Sequence, residues 1–158
     1  MTAAPADDRE FLDAFESGAL PEGAFRHRDH VRLAWLYLRR LSPAAALARF
    51  SDGLRRFAAS LGKSGLYHET ITWAFLLLIR ERMERGGEER WTEFARRNPD
   101  LLSWKPSILD RYYRPETLAS ELARRVFVLP DRLAENGGGE AFTAPEIRAD
   151  AGGPPPSR

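Results

Sequence analysis

From Ile71 to Met83 the chain carries Ile71, Trp73, Ala74, Phe75, Leu76, Leu77, Leu78, Ile79 and Met83, with charge only at Arg80, Glu81 and Arg82. A helix apolar over that much of its circumference has to be enclosed by other helices. The expectation is a bundle with this segment at its centre.

The flanking sequence supplies the other helices. Asp7 or Asp8 can cap a short helix with apolar Phe11, Leu12 and Phe15, stopped by Gly18. A second helix is predicted from about His27 to Leu41. Its stripe at spacings of three and four is His27, His30, Ala34, Tyr37, Leu38 and Leu41, which leaves Arg28, Arg32, Arg39 and Arg40 mostly off it. Ser42-Pro43 starts a third helix, as N-cap and first helical residue. That helix presents Leu47, Phe50, Leu54, Phe57, Ala58 and Leu61 on one face, with Gly62 as C-cap. Gly53 inside it costs about 1 kcal/mol relative to Ala and suits a close helix contact.

The fourth helix is expected from about His68 to Met83, with His68, Thr72, Phe75 and Ile79 in one row and Gly86-Gly87 ending it. Beyond it, Thr92 suits the cap of a short helix reaching Arg97, and Pro115 can begin another with Leu118, Leu122 and Val126. Phe127-Val128-Leu129-Pro130 reads as an extended segment laid over the core. No alternating stretch is long enough for a sheet. The fold class is therefore all-α: about four core helices plus short C-terminal ones, one domain over 7–133. Residues 134–158 hold Gly137-Gly138-Gly139 and Gly152-Gly153-Pro154-Pro155-Pro156 with few apolar residues, the composition of a disordered tail.

Charge and cysteine usage narrow the function classes. With 24 basic and 23 acidic residues, the net charge of +1 gives no electrostatic reason to expect nucleic acid or a membrane surface. With no cysteine, thiolate metal sites, iron–sulfur clusters and cysteine nucleophiles are excluded. The N-terminus has no secretory pattern, and the apolar run Trp73 to Ile79 is too short to span a bilayer, so a cytoplasmic protein is expected.

The three histidines all fall at predicted helix starts: His27 and His30 in Arg26-His27-Arg28-Asp29-His30, and His68 in Tyr67-His68-Glu69-Thr70. Two histidines three apart share a helix face and can bind one metal ion, with His68 completing the set from another helix. Imidazoles alone do not choose among Fe, Zn, Cu and Ni. Three protein ligands leave positions open for water or substrate, the pattern of a catalytic metal. Glu69 or Asp29 would then act as acid/base or orient an imidazole. Tyr67, Thr70, Thr72, Tyr37, Tyr112 and Tyr113 are polar groups available to such a pocket, and Trp35 and Trp73 would form its walls.

Two other readings account for the same residues. His27, His30 and His68 can be core hydrogen-bonding groups, satisfied by Asp29, Glu69, Thr70 and Tyr67. Asp29 and Glu69 can instead serve the first turns of their helices electrostatically, although histidine itself is a poor N-cap. If the fourth helix begins only at Glu69, His68 stands at its boundary.

The phrase F-x-H-x-x-H-x-x-x-A-W-x-Y-L, matched by Phe25 to Leu38, and Y-H-x-T-x-T, matched by Tyr67 to Thr72, resemble an uncharacterised family of short bacterial helical proteins. The resemblance runs on through Trp104 to Asp131 and leaves out the tail. It implies a fold-sized unit and a focus on the histidines, and no reaction. A looser architectural analogy links the chain to DinB-like bundles that hold a metal with three histidines, although those space a histidine pair by four.

The expected function is thus a metal-dependent enzyme acting on a small-molecule substrate, hydrolytic or isomerising at Zn or oxidative at Fe or Cu. The alternative is a non-catalytic helical module that binds a ligand or partner, its histidines forming a core hydrogen-bond network. The oligomeric state is open, a homodimer included.

Overall fold

The structure is a computed structural model, and it describes residues 7–87 and 90–132. Among them are eight α-helices and no strand: α1 (Asp8–Glu16), α2 (His27–Arg40), α3 (Pro43–Ser60), α4 (Glu69–Gly86), α5 (Trp91–Arg97), α6 (Pro99–Leu102), α7 (Pro115–Ala119) and α8 (Glu121–Arg125). The chain is all-α, and none of these helices is long and apolar enough to cross a membrane. The tail expected from residue 134 lies outside the described residues.

Local chemistry sets the helix ends. The Asp7 carboxylate accepts the Arg9 and Glu10 N–H groups at 2.9 and 3.0 Å, satisfying two donors at the start of α1. Asp29 reaches back to the Arg26 N–H at 2.9 Å, so the first turn of α2 is closed by its own carboxylate. Ser42 Oγ accepts the Ala45 N–H at the start of α3, where Pro43 is the first helical residue. Gly18 and Gly87 leave α1 and α4 with φ of 73° and 76°, a region that a side chain disfavours.

The helix at the centre is α2, not α4. Residues 31–38 of α2 are all buried, and α2 packs against α1, α3, α4 and α6. In α4, Leu77 is 47 % exposed, and Trp73 and Leu78 are only partly covered. Sequence pattern set Arg32 apart from the apolar stripe of α2, but this arginine is buried as well. Its Nε and Nη2 donate to Asp8 Oδ1 at 3.0 and 2.7 Å, and its guanidinium lies 4.8 Å from the Phe11 ring centroid. The ion pair with α1 compensates the charge that this side of α2 carries into the core. On the other flank Gly53 admits Phe15 of α1: a Cβ at residue 53 would lie 2.6 Å from Phe15 Cε1.

The C-terminal third is held by side chains more than by long helices. Arg82 of α4 binds Asn98 Oδ1 at 2.8 Å and grips both Asp100 oxygens at 3.2 and 2.8 Å, which docks α6 and buries Leu101. The helix expected from Pro115 to Val126 is broken in two. Ser120, at ψ 147°, ends α7, and its Oγ accepts the Ala123 N–H to start α8. The extended segment after α8 is latched by Thr70 of α4, which donates to Val126 O and accepts from Val128 N at 2.8 and 3.1 Å.

Candidate functional site

A cavity of about 730 Å³ lies between α2, α3 and α4. Its walls are largely apolar, with Val31 from α2, Phe50 and Phe57 from α3, and Ile71, Phe75 and Ile79 from α4. Trp104 and Leu66 stand at its exposed edge. Into this surface the fold places all three histidines, together with Thr72 and Tyr67. The row His68, Thr72, Phe75 and Ile79 on α4 faces the cavity as one strip.

Each histidine has a ring nitrogen tied to a backbone carbonyl, and those bonds define the tautomers. His27 Nε2–H donates to Leu101 O at 2.9 Å, which leaves Nδ1 as the lone-pair nitrogen. His30 Nδ1–H donates to Arg26 O at 2.8 Å, which leaves Nε2. His68 uses both sides of its ring: Nε2–H donates to Leu118 O at 2.7 Å, and Nδ1 accepts the Ile71 N–H at 3.2 Å. That second bond makes His68 the N-cap of α4, a role Ser or Asp usually fills.

At His30 and His27 burial favours the neutral imidazole. It pushes His30 down to about 4, a fall that the Arg26 carbonyl and the Asp29 charge partly oppose and the neighbouring His27 reinforces. Burial also lowers His27, partly opposed by the Leu101 carbonyl. The Phe25 ring packs on His30 at 4.0 Å between centroids, and Phe75 and Trp104 flank His27 at 4.9 and 5.2 Å.

The two carboxylates considered as acid/base groups are used elsewhere, and neither lines the cavity. Asp29 is the capping group described above. Glu69 turns toward α3, where its Oε2 accepts both the Tyr67 hydroxyl and Arg55 Nη2 at 2.7 Å. The Arg55 guanidinium also lies 4.5 Å from the Tyr67 ring centroid. Burial raises the Tyr67 hydroxyl above its usual range, and the bond to Glu69 adds to this. Among the described residues, no three His, Asp or Glu side chains gather as a group that could hold a metal ion.

Several expected wall and polar residues lie outside the cavity. Trp35 is in the core against Trp91 and Phe94, and Trp73 stacks on Phe127 at 5.4 Å. Tyr37 donates to Glu16, Tyr113 donates to Val128 O, and Thr70 is spent on the C-terminal latch. Tyr112 is not among the lining residues either. Phe25, Trp104, Lys63 and Arg124 are cavity residues that sequence reasoning missed. Phe25 had a signal, since it sits two residues before His27. The other three come from loops and a short helix, whose placement no periodicity encodes. No protein-family model, curated protein or solved structure matches this chain.

Proposed function

We propose that the protein binds a small, largely apolar molecule in the cavity between α2, α3 and α4. The observation that carries this reading is the cavity itself: about 730 Å³, apolar-walled, with neutral imidazoles at fixed points. That volume lies in the range of sites that enclose small ligands, and few convergent polar groups among apolar walls is their usual composition. The second nitrogens of His27 and His30 have no hydrogen bond among the described residues, so each can accept one from a ligand hydroxyl or amide N–H. His68 serves the frame of the site: it holds the start of α4 and the end of α7. On this reading the histidines are hydrogen-bonding groups of a binding module.

The test is titration with the neutral fluorophore N-phenylnaphthylamine. Saturable binding of one equivalent to the native protein is expected. Ala58→Phe, which adds a ring to the cavity wall, should abolish binding without lowering the melting temperature. Absence of saturable binding to the wild type would sink the reading.

A second reading keeps a metal ion, on one specific observation. His27 Nδ1 and His30 Nε2 are the two imidazole nitrogens without a hydrogen bond among the described residues, and their residues are one helical turn apart. They are two candidate ligands for Fe, Zn, Cu or Ni. His68 could join only by surrendering the α4 cap or the Leu118 carbonyl. Elemental analysis of untagged protein beside His27→Ala and His68→Ala decides this. Neither retained metal nor tight uptake of added Zn, Ni, Fe or Cu ends the metal reading.

A further inference from the structure

The charged groups at the cavity edge point to the kind of apolar molecule it takes. Three charged side chains line the cavity: Glu22, Lys63 and Arg124. Lys63 Nζ is paired with Glu22 at 2.8 Å, an exposed bridge between the loops before α2 and after α3. That pairing leaves Arg124 of α8. Its Nη1 donates to Gly65 O at 2.7 Å, which braces the turn that carries the exposed Leu66. Among the described residues it has no carboxylate partner. The acidic residues adjacent to histidines in the sequence, Asp29 and Glu69, are turned to other partners and do not line the cavity. The cavity therefore carries a surplus of one positive charge at its edge and neutral imidazoles along its walls.

We propose that the ligand is an amphipathic carboxylic acid, its chain lying against Phe50, Phe75 and Ile79 and its carboxylate meeting Arg124 at the mouth. This rests on the cavity being a ligand site, as proposed above. A guanidinium offers a planar fork of N–H donors that matches a carboxylate, and one edge remains after the Gly65 contact. The apolar wall supplies affinity for the chain, and the cation supplies selection among molecules with the same chain.

The experiment compares decanoate with decanol by calorimetry at pH 8, each below its aggregation limit, on the wild type and on Arg124→Gln. The expected result is decanoate binding roughly tenfold tighter than decanol to the wild type, the scale of one charge-assisted contact at a partly exposed site. In Arg124→Gln the preference disappears while decanol affinity is kept. Equal affinity for both probes in the wild type overturns the carboxylate assignment and leaves the binding cavity standing. So does a preference for decanoate that survives in Arg124→Gln. Parallel loss of both probes in the variant also overturns it, because Arg124 would then be shaping the cavity. If neither probe binds the wild type, the cavity reading falls with it.

Discussion

Helices α2 and α4 each carry a histidine at the N-terminal boundary, His27 as the first residue of α2 and His68 just before α4, and both turn a histidine toward the same cavity, yet the two starts use the imidazole in opposite ways. At α2 a carboxylate, Asp29, closes the first turn, so each of His27 and His30 makes one backbone contact and keeps one nitrogen in hand. At α4 the carboxylate in the first turn, Glu69, is drawn away by Arg55 and Tyr67, and His68 itself becomes the cap. The difference shows that position at a helix start does not decide whether a histidine is available to a ligand. Which backbone groups the imidazole itself is bonded to decides it.

The largest effect that would separate the two starts is on stability. His68→Ala removes a cap and leaves the Leu118 carbonyl without its donor. A loss of about 3 kcal/mol in urea unfolding is expected, from a cap of roughly 1 and an orphaned acceptor of roughly 1–3. His68→Asn, a good cap that lacks the reach to Leu118, should recover about 1 kcal/mol of it. His30→Ala costs less, because His30 caps nothing. A His30→Ala loss as large as that of His68→Ala would break the comparison.

The next effect is on pH dependence. Because His30 is held near 4 in the folded chain and is about 6.5 when unfolded, acid protonates the unfolded chain first. Stability is therefore full above pH 6.5 and is lost as the pH falls toward 4, by up to roughly 3 kcal/mol at about 1.4 per pH unit. His27 is lowered as well and contributes in the same direction. His30→Gln should flatten the slope of unfolding free energy between pH 6.5 and 4. An unchanged slope in that variant would show that His30 is not held neutral by burial.

The smallest effect tests the carboxylates. Asp29→Ala removes the α2 capping contact and should lower stability by about 1 kcal/mol. It should leave N-phenylnaphthylamine affinity unchanged, since Asp29 does not line the cavity. A large drop in affinity would place Asp29 at the site after all.

Some of this was legible in the chain, and the reason is range. Asp7, Ser42-Pro43, Gly18 and Gly86-Gly87 announce helix ends because their partners lie within four residues. The row His68, Thr72, Phe75 and Ile79 follows from helical spacing, and all four reach the cavity. Pattern failed at Pro115 to Val126, where Ser120 preferred to cap a new helix. It failed again for Trp35 and Trp73, whose bulk suggested walls but whose ring partners lie in the core and on the C-terminal segment.

By itself, then, the sequence determined an all-α chain, its long helices, and the coincidence of three histidines with two helix starts. Only the tertiary structure decided that α2 takes the centre, because Asp8, the carboxylate that pairs with buried Arg32, comes from another helix, α1. Only the tertiary structure decided which imidazole nitrogens remain open. The carbonyl that holds His27 is 74 residues away and the one that holds His68 is 50 away. Helical periodicity relates residues three or four apart and is blind to partners at that distance.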